Sequence, residues 1–368
     1  MVGLPEFFFH FFLRRRFFFW GEKNELGGLV MRVWSQNGVF CHPGENIVVD
    51  PVRKKIDAVR AFVSHAHSDH VFVGARNACE YVMTKPTRAL VERKIPSSAK
   101  VKTLSYGKKL KSDSYTVSFA NAGHIIGSSQ VVIENDSKLC VTTDFKLQDS
   151  IIQKGADIVP CDVLVIEGTF GLKQFSFQDR EKTYEEMGKW IADSIKNNYL
   201  PVLAGYAVGK AQELTKVVNE YSDVTPFVHD SVFDKNKIHE LFGTSLGEYA
   251  RIDHNLKDSE LLILPPSLCS PHVLQAISVS AGKKILAAKA TGWNWQESYS
   301  KLFPLSDHGD YNQLLRYVKE SNPKMVFTHN GFAGELSRSI TMETGIPSIP
   351  LKDASQKVLA QYAEVSKG

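Results

Sequence analysis

The sequence has no CxxC pair and no long block of lysine or arginine, and each absence excludes a class of protein. Its five cysteines are odd in number and scattered, which argues against a disulfide framework and a thiolate zinc site. We therefore expect a reducing, cytoplasmic setting. The formal net charge of +4 is mild, so a basic face could bind a polyanion, but no long block of lysine or arginine marks a dedicated nucleic-acid arm.

The chain also lacks the run of roughly 18 apolar residues that a membrane-spanning helix needs, so we expect no stable membrane insertion. In the segment FFFHFFLRRRFFFW, Arg14–Arg16 lie inside the apolar stretch rather than ahead of it, unlike a signal peptide. We treat residues 1–30 as an extension of uncertain status. The simpler interpretation is a non-essential extension ahead of a start at Met31; the alternative is a membrane-surface element.

Short β-branched and aromatic runs separated by turn signals predict that the first half is rich in strands. The predicted strands are RVWSQNGVFCH, NIVVDP, AVRAFVSHAH, YVMT, SYTVSFA, SQVVIE, KLCVTTD and VLVIEG, with PTRALVERK as a short helix. After Gly171, helical segments such as DREKTYEEMGKWIADSIKNN and GKAQELTKVVNEYS alternate with apolar strands such as YLPVLAGYA. PKMVFTHN then predicts a strand that ends in a histidine. These patterns predict the α/β class.

The stretch SHAHSDH, residues 64–70, crowds three histidines and an aspartate into six positions. Buried imidazoles each need a partner, so a metal ion explains three neighbouring rings better than packing does. Residues i and i+2 of an extended chain point the same way, so His65 and His67 can meet one ion. Asp69 and His70 follow at the turn and can serve a second ion.

Isolated polar residues at other strand ends could complete such a site: His124 in NAGHIIGSS, Asp144 in CVTTDFK and His329 in VFTHNG. Imidazole and carboxylate ligands suit zinc and leave room for a water molecule. Two ions about 3.5 to 4 Å apart activate such a water near neutral pH. The sequence therefore predicts hydrolysis.

SHAHSDH resembles the HxHxDH signature of the metallo-β-lactamase fold, and the positions of Asp50, His124 and Asp144 around it are similar to that family's order of motifs. Four later motifs, VIEGTFG, GYAVGKAQEL, PLSDHGDY and FTHNG, resemble the β-CASP branch. Its characterised members cut nucleic-acid backbones and include the pre-mRNA 3′-end endonuclease, bacterial RNase J and Artemis-type nucleases. ATGW, GKAQ and LSDHGDY look most like the prokaryotic exonucleases of RNA-processing or DNA-ligase-associated type.

The resemblance implies a four-layer αββα metallo-β-lactamase sandwich with an inserted α/β β-CASP cap. Residues 31–171 and the return segment 300–368 would form the sandwich, and residues 172–299 would form the cap. The active site would lie in the cleft between them, where the cap restricts access to a single strand.

The resemblance also implies two Zn²⁺ ions, with Mn²⁺ as an alternative metal. The implied ligands are His65, His67 and His124 for one ion, Asp69, His70 and His329 for the other, and Asp144 as the bridge. Asp50 would orient a ligand histidine. His308 would be the general acid, held in its tautomer by Glu167, and Asp69 would belong to the catalytic group with them.

In GYAVGKAQEL, the amides of a helix N-terminus and Lys210 would meet a phosphate, with Gly209 permitting close backbone approach. Trp293 and Trp295 could stack on a base or simply pack. The sequence departs from the family pattern twice: Thr143 stands where glycine is common before the bridging aspartate, and Asn330 separates His329 from its glycine.

The expected function is a zinc-dependent phosphodiesterase, an exonuclease on single-stranded RNA. In the resembled family a histidine in the last motif, here His329, goes with RNA and a valine with DNA. The alternatives are a DNA exonuclease in repair, a small-molecule metallo-hydrolase and a catalytically silent subunit. A homodimer is a further expectation.

Overall fold

A computed structural model describes residues 18–19, 32–35, 38–52, 58–71, 79–253, 256–294 and 299–351. Of the extension at residues 1–30, the description covers a two-residue strand, β1 (Phe18–Phe19), which pairs antiparallel with residues 32–33. The other predictions for that extension, and those for Trp295 and residues 352–368, lie outside the described residues. No helix among the described residues has the length and apolarity to cross a membrane.

The first half of the chain forms strands, as predicted. They are β2 (Arg32–Ser35), β3 (Val39–His42), β4 (Ile47–Val49), β5 (Arg60–Phe62), β6 (Glu80–Met83), β7 (Lys100–Thr103), β8 (Lys109–Lys111), β9 (Thr116–Asn121), β10 (Ser129–Glu134), β11 (Lys138–Val141) and β12 (Val163–Glu167). Helix α1 (Lys85–Val91) and a 3-10 turn at Glu92–Lys94 interrupt them. The sequence patterns did not predict β7 and β8, which are short and rich in lysine.

Helices and strands alternate after β12, which confirms the predicted change of character. In chain order the elements are α2 (Arg180–Lys196), β13 (Tyr199–Ala204), α3 (Lys210–Tyr221), β14 (Phe227–Val228), α4 (Asp230–Leu241), β15 (Ala250–Arg251), β16 (Leu262–Leu264), α5 (Pro271–Ala281), β17 (Lys284–Thr291) and β18 (Lys301–Pro304). The chain continues with α6 (Tyr311–Ser321), β19 (Met325–His329), α7 (Ala333–Thr344) and β20 (Ser348–Pro350).

Local chemistry explains where the helices begin and end. The Asp179 side chain accepts a hydrogen bond from the Glu181 amide at the start of α2, and Tyr184, Met187 and Ile191 then form its buried stripe at helical spacing. Helix α6 ends at Asn322, which adopts the left-handed conformation that asparagine tolerates. These are the boundaries expected of amphipathic helices.

Three sheets result, in the strand orders β1-β2-β3-β4-β5-β6-β7, β20-β19-β12-β11-β10-β9-β8 and β15-β14-β16-β13-β17-β18. The two seven-stranded sheets share one core, to which Phe62 contributes from the first and Phe119 and Phe327 from the second. Helices α6 and α7 cover the outer face of the second sheet. The third sheet is parallel throughout and has apolar clusters on both faces.

The topology places many strand ends at one edge. Strands β4, β5, β9, β11, β12, β18 and β19 all lead, at their carboxyl ends, into the predicted site residues. Polar residues at the carboxyl ends of parallel strands meet in this way. The three sheets and their helices confirm the α/β class. The fold also brings distant motifs to one place.

Candidate metal centre

Three predicted ligands from two segments of the chain converge on one carboxylate oxygen of a fourth, Asp144. Asp144 Oδ2 lies 3.6 Å from His65 Nε2, 3.2 Å from His70 Nε2 and 3.8 Å from His124 Nε2. The side chains of His65, His70, His124 and Asp144 are buried. His67 belongs to the same cluster and is partly exposed. His67 Nδ1 lies 3.0 Å from His124 Nε2. Asp144 is thus central to a cluster of imidazoles, as a bridging ligand would be.

Each imidazole is held by its other nitrogen. His65 Nδ1 lies 2.8 Å from the Ser64 hydroxyl, His67 Nε2 lies 3.2 Å from the Val208 carbonyl, and His124 Nδ1 lies 2.8 Å from the Asp307 carbonyl. Such partners fix the tautomer and ring direction of metal-binding histidines. The sequence analysis did not identify Ser64, Val208 or Asp307 in this role. Val208 and Asp307 act through main-chain carbonyls, which leave no signal in a motif.

The second predicted group, Asp69, His70 and His329, lies near the first but is less compact, because its ligand atoms do not all lie within 4.8 Å of one another. His70 Nε2 is 3.6 Å from Asp69 Oδ2, and Asp69 is largely exposed. His329 Nε2 lies 3.4 Å from the hydroxyl of Ser35, another residue that the motifs did not identify. Asp50 Oδ2 lies 2.9 Å from His70 Nδ1, and Asp50 also accepts hydrogen bonds from the Ser64 amide and hydroxyl. Asp50 thus contacts the Nδ1 side of His70, and its role in orienting that ring stays a prediction.

The residues fit divalent metal ions. His65 Nε2 is buried and lacks a hydrogen-bond partner among the described residues, so it costs free energy unless a ligand satisfies it. Burial lowers the pKa of His65 and of His124 well below the usual value, which favours the neutral imidazole that metals bind. Nitrogen and carboxylate donors in this mixture suit zinc or manganese.

His70 has the opposite electrostatic environment. Burial alone would lower its pKa, but the carboxylates of Asp144 and Asp50 raise the pKa well above the usual value. For Asp144, burial would raise the pKa, yet the surrounding histidines, His70 first, hold it well below its usual range. The Asp144 carboxylate is therefore ionised.

His308 and Glu167 form a pair at the edge of this cluster. His308 Nδ1 lies 2.9 Å from Glu167 Oε2, and Glu167 Oε1 accepts the Phe145 amide at 2.7 Å. Burial would lower the pKa of His308, but Glu167 and then Asp144 raise it to about 9. The ring centroids of His308 and His124 are 4.7 Å apart, so the pair lies beside the cluster of histidines and carboxylates.

The predicted phosphate-binding residues have different contacts from those expected. Lys210 is buried, and its Nζ pairs with Asp307 Oδ1 at 2.8 Å and Glu213 Oε2 at 3.2 Å. The Gly209 amide donates to the Gln212 side chain at 2.7 Å within the same helix. Gly209 has φ 89°, and a Cβ there would lie 2.3 Å from Ile125. These contacts do not favour phosphate binding by Lys210 or Gly209.

Lys210 instead belongs to a buried network of charges behind the cluster. Arg180 forms a two-pronged contact with Glu213, with Nη2 at 2.6 Å and 2.8 Å from its two oxygens, and Arg180 Nη1 donates to the Ser306 carbonyl at 2.7 Å. Burial would raise the pKa of Glu213, but Arg180 and then Lys210 lower it to about 2. The network joins α2 and α3 to residues 306–308, and so to His308 and to the Asp307 carbonyl that holds His124.

The two departures from the family pattern preserve the backbone geometry. Thr143 has φ 56° and Asn330 has φ 61°, both in the left-handed region. Asparagine tolerates this conformation, but a β-branched threonine is strained there. The Thr143 hydroxyl donates to the Ser129 and Thr142 carbonyls at 3.1 Å and 2.6 Å. Thr143 thus adopts, directly before Asp144, the left-handed conformation that glycine favours.

A cavity of about 880 Å³ lies over the cluster of histidines and carboxylates. Its walls come from the two seven-stranded sheets and from the third sheet, including Tyr206, Thr291 and Trp293. Trp293 stacks at an angle on Phe170, with ring centroids 4.7 Å apart, and lies 5.5 Å from Phe175. It is thus a packed residue of the cavity wall.

Comparisons with known proteins agree with this geometry. No protein-family model matches the chain. A probable DNA ligase of Opitutus terrae is 30% identical over 312 residues, covering 81% of this chain and 29% of the relative. An RNase J-like protein of Methanocaldococcus jannaschii is 24% identical over 398 residues, covering 86% of this chain and 92% of the relative. The chain therefore spans less than a third of the first relative and nearly all of the second.

A solved structure shares the fold. A protein of unknown function from Enterococcus faecalis V583 superposes with a TM-score of 0.60 at 14% identity, covering 88% of this chain and 97% of that chain. The fold, the histidine and carboxylate cluster and the relatives together define a metal-dependent hydrolase of the nuclease class. The chain belongs to the metallo-β-lactamase β-CASP nuclease family.

Proposed function

We propose that the protein is a two-metal phosphodiesterase that degrades single-stranded RNA as an exonuclease. The observation that carries this proposal is the position of Asp144 Oδ2, between 3.2 and 3.8 Å from the Nε2 atoms of three histidines. A carboxylate shared by several imidazoles fits a ligand between two cations. Hydrolysis of a phosphodiester is the reaction that such a pair supports.

The proposed ligands divide between two zinc ions as the resemblance implies, with manganese as the alternative metal. The first set is His65, His67 and His124, the second is Asp69, His70 and His329, and Asp144 belongs to both. When bound, the two cations would polarise the scissile phosphate and activate water. Asp50 would keep His70 Nε2 directed at the site by accepting from Nδ1.

His308 is the proposed general acid. Its Nδ1–H donates to Glu167, so the second proton of the imidazolium resides on Nε2, the atom free to act on substrate. The raised pKa keeps this proton in place at neutral pH. His308 would then transfer it to the leaving oxygen, and Glu167 would stabilise the correct tautomer.

The proposed architecture is the four-layer αββα sandwich with a β-CASP cap formed by residues 172–299. It is supported by the common core of the two seven-stranded sheets and by the helices on their outer faces. The separate parallel sheet β13–β18 supports the cap, although its edge strand β18 (Lys301–Pro304) comes after residue 299. A strand of nucleic acid would enter the cavity between these parts.

RNA is proposed as the substrate because His329 occupies the last motif, and because one relative is named an RNase J-like protein. The likeness to a probable DNA ligase supports a second candidate, a DNA exonuclease in repair. The cytoplasmic setting inferred from the cysteines is part of the same proposal. All five cysteines are free, consistent with it.

Matched 5′-labelled single strands of RNA and DNA test the proposal. Zinc-loaded protein should shorten the RNA strand, whereas the Asp69→Ala variant should not. Preferential loss of the DNA strand would establish the second candidate. Turnover of a thioester without turnover of bis-p-nitrophenyl phosphate would instead indicate a small-molecule hydrolase, and protein that binds no metal would indicate a silent subunit.

A further inference from the structure

The mild net charge of the chain conceals a strongly basic segment. Residues 85–111 contain nine of the 44 lysines and arginines but one of the 40 acidic residues, Glu92. The rest of the chain therefore has 35 basic and 39 acidic residues and is net negative. Such asymmetry marks a surface that attracts polyanions. The motifs do not indicate this surface, because its lysines and arginines occur singly or in pairs and form no long block.

The fold places this segment along one side of the protein. Its elements are α1, β7 and β8, and all nine basic side chains are exposed. Strands β7 and β8 are the last strands of the two facing sheets, and Leu104 and Leu110 anchor both in the shared core. The two sheet edges therefore lie on the same side, about 10 Å apart as packed sheets are.

Carboxylates neutralise little of this charge. Arg93 pairs with Asp234 at 3.5 Å, and Lys109 pairs with Glu134 at 2.7 Å. Within the described parts of the chain, no acidic side chain lies within ion-pair distance of the other seven basic residues of the segment. The surface formed by the exposed lysines and arginines of residues 85–111 is called the basic surface below.

The basic surface adjoins the metal centre through the loop of His124. At the start of α1, Thr84 Oγ1 donates to the Gly127 carbonyl at 2.7 Å. From the turn between β7 and β8, the Tyr106 hydroxyl donates to the Ser128 carbonyl at 2.8 Å. The Ser128 hydroxyl in turn accepts the His124 amide at 3.1 Å. The basic surface is thus held by hydrogen bonds against the buried loop that carries His124.

We propose that the basic surface binds the phosphate backbone of the single strand whose end lies in the metal centre. This inference rests on the proposed nuclease function and adds a binding site for the nucleotides outside the cavity. Backbone contacts of this kind are independent of base sequence and sensitive to salt. Lysines on an exposed sheet edge can also serve only to prevent pairing with another chain. If that were their only role here, replacing them would leave the affinity for nucleic acid unchanged.

The test removes four cations of the basic surface that have no carboxylate partner: Lys85→Gln, Arg88→Gln, Lys102→Gln and Lys108→Gln. Glutamine keeps the side chains long and polar, so folding should be retained. The matched control replaces four exposed lysines elsewhere, Lys182, Lys189, Lys196 and Lys319, with glutamine and so removes the same charge. Affinity for a labelled 20-nucleotide strand and for a trinucleotide is measured in EDTA at several salt concentrations.

The basic-surface variant should bind the 20-nucleotide strand about tenfold or more weakly than the unaltered protein. The slope of log association constant against log salt concentration should be smaller by about 3, because each of four lost phosphate contacts contributes about 0.7 to it. Trinucleotide affinity and hydrolysis of bis-p-nitrophenyl phosphate by zinc-loaded protein should stay unchanged. Equal affinity and slope in the variant and the control would overturn the basic surface. Absence of phosphodiester hydrolysis by the unaltered protein would instead overturn the proposed function, whatever the binding result.

Discussion

The buried charge network behind the metal centre predicts a large effect of a small chemical change. Glu213→Gln keeps the shape of the side chain but removes the negative charge that Arg180 and Lys210 share. Arg180 would keep its hydrogen bond to the Ser306 carbonyl, and Lys210 would keep its ion pair with Asp307. The Arg180 guanidinium would have lost its compensating negative charge. Loss of one partner of a buried ion pair typically costs about 3–5 kcal/mol.

Urea unfolding followed by tryptophan fluorescence should therefore show a free energy of unfolding lower by about 3–5 kcal/mol for Glu213→Gln. The double variant Arg180→Met, Glu213→Leu removes both charges and leaves the Lys210–Asp307 pair. It should be markedly more stable than the sum of its single variants predicts. A loss below about 1 kcal/mol in Glu213→Gln, or additive single changes, would refute the reasoning.

Three further results are expected. His308→Ala should retain its metal but cleave roughly 10²- to 10⁴-fold more slowly, measured by metal analysis and single-turnover assays; loss of metal would mean that His308 is a ligand. Asp144→Ala should lose both metal and activity, so an active variant would exclude the bridging role. Burial lowers the pKa of His239 to about 4, so the unfolded chain takes up its proton first as the pH falls. The stability conferred by neutral His239 is thus complete above pH 6.5 and is lost as the pH falls toward 4. The free energy of unfolding should fall by on the order of 3 kcal/mol over this range, and urea titrations of His239→Leu should lack that decline.

The secondary structure near the site was largely predictable because local patterns determine it. Alternating apolar residues define β9, a continuous apolar run defines β10, and a capping aspartate with helical spacing defines α2. Strands β7 and β8 were missed because each has one apolar residue between lysines, so the alternating pattern is too short to recognise. Their pairing with longer neighbours, rather than their own composition, makes them strands.

The sequence by itself determined the α/β class and the candidate residues of the site, since HxHxDH and the later motifs follow one another in a recognisable order. Only the tertiary structure decided how these residues are supported. Main-chain carbonyls of Val208 and Asp307 orient two histidines, and buried carboxylates engage Lys210, which the motif had suggested for phosphate binding. Tertiary structure also gathered scattered lysines on two neighbouring sheet edges. Motifs record the identities of side chains, whereas burial, carbonyl contacts and surface charge depend on which distant segments the folded chain brings together.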